Sequence, residues 1–174
     1  EYKLGGEDTV SITIDLNGKT LNITTTYLSN LGAKNNNALF TIKNGTIVIP
    51  STNGNLNGTN ASTGAGNAIV FDSTGKLVVE NVTIEASKRG GWRAIEVYAG
   101  VAEINNSTIN CYHGSGVNSS NAKVTLNNCD ITVKGMYSAP YNSVCFSCMY
   151  GGELTVNGGN YKLINTADYA TGDT

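Results

Sequence analysis

A short phrase recurs along the chain: an aliphatic residue, one further residue, an asparagine, two residues and then, in the clear copies, an isoleucine. Four clear copies, one degenerate copy and one looser copy begin, in that order, at Ile42, Val79, Ile104, Leu126, Val156 and Ile14. Neighbouring copies begin roughly 22–37 residues apart, and the tightest of these intervals lie in the range of solenoid repeats. A repeat of this size cannot bury its apolar side alone, so each copy must stack on the next.

The segments around each phrase alternate apolar and polar residues, which predicts β-strands, and no stretch has the 3.6-residue period of a helix. The composition agrees, because the chain has 21 glycines and only 2 prolines. A second phrase precedes the first in most copies, so each repeat holds three short strands separated by Gly/Asn corners. Parallel stacking of these strands predicts one continuous buried stack that contains Ile84, Ile109 and Ile131.

The asparagine of the phrase is predicted to lie at a corner. Asparagine tolerates the left-handed backbone that a sharp corner requires, and its amide can bond the backbone or the next asparagine in the stack. The predicted asparagine ladder consists of Asn44, Asn81, Asn106 and Asn128. Gly158 takes the same place in the last copy, since glycine has no Cβ.

This pattern resembles the right-handed parallel β-helix of the pectin-lyase-like superfamily, over residues 10–163 in about six coils. The predicted fold is therefore all-β: one solenoid domain over residues 1–174, with a lead-in at 1–9 and a tail at 164–174, expected to be a fragment of a longer chain. The resemblance extends to β-helix segments of phage fibres and tailspikes and of bacterial surface proteins. The same coil serves lyases and hydrolases of polysaccharides, so the fold alone does not fix a function.

The longest insertions follow the third strand of a repeat; the first, at residues 50–67, is rich in Ser, Thr, Asn and Gly, and the later ones carry aromatic and basic residues. Aromatic rings with polar neighbours suit the faces of sugars, so these insertions are predicted to form a glycan-binding edge. The candidate binding residues are Arg89, Trp92, Arg93, Tyr112, His113, Tyr137 and Tyr141. The alternative is that these rings only shield the ends of the coils.

Catalysis on glycosides generally needs two carboxylates within about 5–9.5 Å of each other. The outward stack of the first strand is predicted to read Val70, Glu96, Asn118 and Cys145, with one carboxylate. Glu96 with Arg93 is the best catalytic candidate, but a solvated surface ion pair is the simpler interpretation. The leading hypothesis is therefore a non-catalytic module, with a polysaccharide lyase or glycoside hydrolase as the alternative and an architectural spacer as a third.

The four cysteines do not predict a metal site or any other cofactor site. Cys145 and Cys148 have the spacing of a zinc knuckle, but residues three apart in a strand point to opposite faces. Cys111 is expected to be a buried thiol in the core, and no disulfide is fixed by the sequence.

The charge and the resemblance together indicate the class of partner. A net charge of −2 disfavours nucleic-acid binding, and no apolar run is long enough for membrane insertion. The expected partner is a glycan or another cell-surface receptor, and the expected location is extracellular, on a cell surface or on a virion. Because the last coil lacks a cap, we expect further chain or a neighbouring subunit to cover it, and the resemblance implies a homotrimer.

Overall fold

The computed structural model describes residues 11–23, 27–28, 37–49, 67–86, 93–111, 115–136 and 144–166. These residues form thirteen β-strands and no helix. The strands are β1 Ser11–Asp15, β2 Thr20–Asn22, β3 Tyr27–Leu28, β4 Leu39–Ile49, β5 Asn67–Phe71, β6 Lys76–Ala86, β7 Arg93–Val97, β8 Val101–Asn105, β9 Thr108–Cys111, β10 Ser115–Ser120, β11 Lys123–Met136, β12 Val144–Met149 and β13 Glu153–Thr166. The described part of the chain holds no helix able to span a membrane.

The strands form two sheets, and every strand pairing is parallel. The larger sheet has the order β1-β4-β6-β8-β11-β13, with β2 and β9 beside its long strands, and the smaller has the order β12-β10-β7-β5-β3. The chain alternates between the two sheets. Each segment in one sheet pairs with the preceding segment in that same sheet. The prediction of an all-β structure with parallel sheets is confirmed, and the arrangement fits a parallel β-solenoid.

The core forms where equivalent apolar residues stack on successive strands. Ile84 pairs with Ile109, Ile109 pairs with Ile131, and all three side chains are fully buried, so the predicted inward stack is confirmed. The smaller sheet contributes Ile69 and Ile95 to the same hydrophobic cluster. A continuous core of this kind stabilises each strand through both of its neighbours in the stack.

The prediction of three short strands per repeat is wrong in one respect. The second and third strands join into single long strands of 11 or 14 residues in β4, β6, β11 and β13. A left-handed residue at each corner turns these strands without ending the pairing on either side. In contrast, β8 and β9 remain separate, with Asn106 and Ser107 between them.

Candidate functional site

Most of the predicted glycan-binding residues lie outside the described residues: Arg89, Trp92, Tyr112, His113, Tyr137 and Tyr141. Arg93 is described, and it is the first residue of β7. The first residues of β10 and β12 are Ser115 and Val144, and these two residues pair with each other, while Ser115 also pairs with Arg93. The chain therefore enters three neighbouring strands of the smaller sheet at one edge, and each entry directly follows a segment that carries predicted binding residues.

The outward stack of the smaller sheet contains Val70, Glu96, Asn118 and Ser147. Ser147 takes the place predicted for Cys145, so the predicted register of β12 is wrong by two residues at this position. The apolar alternation of residues 143–146 fits several alignments with the earlier strands, and only the backbone pairing of β12 with β10 selects one. The correction places a hydroxyl group beside Asn118 instead of a thiol.

Glu96 and Arg93 form an ion pair, as their spacing suggested, but the pair is not on a solvated surface. The Glu96 side chain is only 3% exposed and that of Arg93 is 19% exposed. The interpretation as a solvated ion pair is therefore wrong. Burial of a carboxylate is costly unless a cation and hydrogen bonds compensate its charge, and here the Arg93 guanidinium does so directly.

A chain of hydrogen bonds extends from Glu96 across the outer face of the smaller sheet. The Asn118 amide nitrogen donates to Glu96 Oε1 at 3.4 Å and to Ser120 Oγ at 2.9 Å. The Asn118 amide oxygen accepts from Ser147 Oγ at 2.5 Å, and Ser147 lies 3.2 Å from Ser115 Oγ. We call the connected residues the outer polar cluster: Arg93, Glu96, Ser115, Asn118, Ser120 and Ser147.

Burial distinguishes the outer polar cluster from the outer faces of the larger sheet. All six residues of β10 are buried, so both faces of this strand are covered, and Asn118 is fully buried. On the larger sheet, outward residues such as Lys76 and Glu103 form ion pairs while remaining about 40% exposed. A polar network held out of bulk water has fixed side-chain positions, because each donor and acceptor has one partner with good geometry.

Tyr98 lies directly after β7, at the border of the outer polar cluster, and sequence reasoning missed it. Its side chain is 42% exposed, so part of the ring is open to solvent. Partial burial of its hydroxyl raises the pKa of Tyr98, and the nearby Glu96 carboxylate raises this pKa further by its charge and by a hydrogen bond. The hydroxyl therefore stays protonated at neutral pH. The sequence shows only that an alternating strand ends in a tyrosine. This pattern does not tell whether the ring is exposed or packs in the core.

The asparagine corner has the left-handed backbone that the sequence predicts for it. The φ angles of Asn44, Asn81, Asn106 and Asn128 lie between 47° and 58°, and Gly158 has a φ of 73°. The Asn81 amide donates to Asn44 Oδ1 at 3.3 Å, and the Asn44 amide donates to Asp15 Oδ1 at 3.2 Å. These corners set the bend that carries each long strand from one outer face to the next, so their role is structural.

The four cysteines are free thiols. Cys111 is buried, as expected, and burial raises the pKa of Cys129 and of Cys145. A raised pKa keeps these thiols neutral and unreactive at neutral pH. Among the described residues, no group of three or more His, Cys, Asp or Glu side chains could hold a metal ion.

The groups of the outer polar cluster bond one another, and Glu96, Asn118 and Ser120 are at most 3% exposed. The partly exposed Tyr98 ring beside the cluster is the group open to a ligand, and aromatic rings of this kind can contact the apolar faces of sugars. Comparisons with protein-family models, with curated proteins and with solved structures find no match for this chain. The functional assignment therefore rests on the residues themselves.

Proposed function

We propose that this protein is a non-catalytic, receptor-binding β-helix module that contacts glycans at the smaller sheet, between the starts of strands β7, β10 and β12 and Tyr98 at the end of β7. In this proposal the solenoid is a right-handed parallel β-helix of about six coils, related to the pectin-lyase-like superfamily. The module would belong to a phage fibre or tailspike or to a bacterial surface protein, and would act outside the cell. Its parallel sheets supply a rigid support for the binding surface.

The observation that carries the proposal is the position of Tyr98 beside the outer polar cluster. Its ring is partly open to solvent, and its hydroxyl is directed to Glu96. A ring held in this way offers a flat apolar surface at low entropic cost, because it does not have to be ordered when the ligand binds. The buried cluster would then hold the ring in place while a sugar stacks on its open face.

The entry of the chain into the smaller sheet gives further support. The segments that precede Arg93, Ser115 and Val144 carry the predicted aromatic and basic residues, and these three strand starts are neighbours. Successive strand starts are about 4.8 Å apart. Rings carried by such segments would suit successive units of a polysaccharide that runs along the solenoid.

The proposal is tested by screening the full chain on a glycan array and measuring the affinity for the best oligosaccharide by calorimetry. Replacing Tyr98 by Ala should weaken binding by about tenfold, since the loss of one stacking ring costs about 1 kcal/mol or more. Tyr98→Phe should keep most of the affinity because it keeps the ring. Trp92→Ala tests in the same way the segment that precedes β7.

Leu39 provides the control, because it is an apolar residue of similar exposure, 38% against 42% for Tyr98, but lies on β4 in the larger sheet. Leu39→Ala should leave the affinity unchanged. If no glycan binds, or if Leu39→Ala weakens binding as much as Tyr98→Ala does, the proposal is wrong.

One observation favours a second candidate function, a glycoside hydrolase. The charges of both Asp72 and Glu96 act on the Tyr98 hydroxyl, so two carboxylates approach the same ring. Asp72 lies two residues beyond Val70, the neighbour of Glu96, which places the two Cα atoms about 8 Å apart. Side chains on Cα atoms this far apart can bring their carboxyl groups to the separation of about 6.5–9.5 Å that inverting hydrolases use.

The hydrolase candidate is weaker because Glu96 is buried and already bonded to Arg93. It is tested by incubating the protein with the oligosaccharides that it binds and measuring newly formed reducing ends. Hydrolysis that is lost in both Asp72→Asn and Glu96→Gln would establish it. Binding without any release of reducing ends would support the non-catalytic module.

A further inference from the structure

The last strand, β13, presents an apolar layer to solvent. Its inward residues belong to stacks that are fully buried one strand earlier: Leu126 pairs with Val156, and Val133 pairs with Leu163. Val156 is nevertheless 38% exposed and Leu163 is 53% exposed. Within the described residues β13 pairs only with β11, so its other edge also presents backbone N–H and C=O groups.

The bend of β13 restricts what can pair with this edge. The strand turns at Gly158 and Gly159, whose φ angles are 73° and 98°, and residues 153–157 and 160–164 form two arms of five residues. A straight strand cannot follow both arms. A second copy of β13 can, provided that its bend coincides with this one.

Antiparallel pairing of two such copies has a single register, because the bends coincide only when the twofold axis passes between Gly158 and Gly159. In that register Leu154 faces Leu163 of the second copy, and Val156 faces Tyr161 of the second copy. All four of these residues lie on stacks that point into the core. The pairing therefore places apolar side chains on apolar side chains along both arms.

The polar residues of the two arms also match in this register. Asn157 faces Asn160 of the second copy, and each of these amides donates one hydrogen bond to its own β11, at 2.9 Å and 2.8 Å. A primary amide has two donor hydrogens and an oxygen with two lone pairs, so both amides keep capacity for a bond across the axis. Lys162 faces Thr155 of the second copy, so no like charges are opposed.

We propose that β13 is a homodimer interface, in which two copies of this chain pair their last strands antiparallel about a twofold axis through the Gly158–Gly159 bend. This isologous contact closes at two copies, and it covers both exposed edges at once. It differs from the homotrimer that the resemblance implies. It is independent of the proposed glycan contact, which lies on the smaller sheet.

The test is the mass of the full chain in solution, measured by light scattering and by sedimentation over a range of concentrations. Substitutions at Thr155 change the proposed dimer contact without changing a residue of the core. Thr155→Lys should weaken the dimer about threefold to tenfold, because two lysine pairs would oppose each other across the axis, and Thr155→Glu should strengthen it by a similar factor. Thr125→Lys is the matched control, since Thr125 is the neighbour of Thr155 on β11 and should leave the dimer unchanged.

A second pair of variants tests the apolar layer. Val156→Lys should weaken the dimer at least tenfold, because it would bury a charge without a partner, whereas Val101→Lys should not. Val101 is the control because it is also a valine that is 38% exposed, but it lies on β8 within the sheet. A discrete dimer with these responses supports the proposal. A monomer at about 100 μM, a trimer, oligomers that grow with concentration, or a dimer indifferent to Thr155 and Val156 would overturn it.

Discussion

At the asparagine corner, we predict which of two variants is more stable, Asn81→Gly or Asn81→Ala. At an ordinary strand position glycine is less stable than alanine by about 0.5–1 kcal/mol, because glycine loses more backbone entropy on folding. Asn81 has a φ of 52°, where alanine is strained by about 1–2 kcal/mol and glycine is not. The order should therefore reverse, with Asn81→Gly more stable than Asn81→Ala.

The magnitude follows from the contacts of this side chain. Both variants lose the 3.3 Å hydrogen bond to Asn44, which contributes about 0.5–1 kcal/mol at an exposed position. Backbone strain brings the expected cost of Asn81→Ala to about 2 kcal/mol. Glycine avoids this backbone strain but loses more backbone entropy on folding. The difference between the two effects should leave Asn81→Gly about 0.5–1 kcal/mol more stable than Asn81→Ala.

The assay is urea unfolding at 25 °C, followed by circular dichroism and analysed by linear extrapolation. Thr83 is the matched control, because it lies on the same strand, points outward and does not have a positive φ. Thr83→Gly should be less stable than Thr83→Ala. If Asn81→Gly is also less stable than Asn81→Ala, by the same amount, the left-handed corner does not account for the asparagine.

Three further predictions concern the core, the buried ion pair and the dependence of stability on pH. Ile109→Ala should lower the free energy of unfolding by about 3–4 kcal/mol, because the side chain is fully buried. Leu163→Ala should lower it by less than about 1 kcal/mol in the monomer, and equal losses in urea unfolding would contradict the inward stack. Glu96→Gln should cost about 2 kcal/mol, because it leaves a largely buried cation without its counter-charge, and Glu85→Gln, at a half-buried position, should cost less than half as much. Hydrogen bonds from the Asn17 backbone and the Asn44 amide lower the pKa of Asp15, so its ionised form stabilises the fold above the unfolded pKa of about 4, and this contribution is lost as the pH falls through the lower folded pKa. The unfolding midpoint of Asp15→Asn should therefore fall less on acidification than that of the parent chain, and an identical fall would contradict the assignment.

Local patterns were sufficient to predict the main features of the fold. Alternation of apolar and polar residues identifies Ile84, Ile109 and Ile131 as one inward stack, because the side-chain period of a strand is two and the copies share one phrase. The corners were also predictable, since asparagine and glycine are the residues that tolerate a positive φ. Both features depend on one residue and its near neighbours in sequence.

The candidate site depends on contacts that the sequence does not display. The pairing of Ser147 with Asn118 follows from the register of β12 on β10, which several apolar alignments fit equally well. The burial of Glu96 depends on what packs over the smaller sheet, so a charged residue on an outward position was wrongly expected to be solvated. The exposure of Tyr98 likewise follows from its place after β7, where the strand has ended.

A glycan bound beside Tyr98 would be located by nuclear magnetic resonance. The best ligand from the array would be titrated into the isotopically labelled chain, and the shifts of backbone and aromatic signals would be mapped. We expect the Tyr98 ring signals to move most, together with the backbone signals of β7 and of the end of β10 at Ser120. Shifts confined to the outer face of the larger sheet, around β1 and β4, would contradict it.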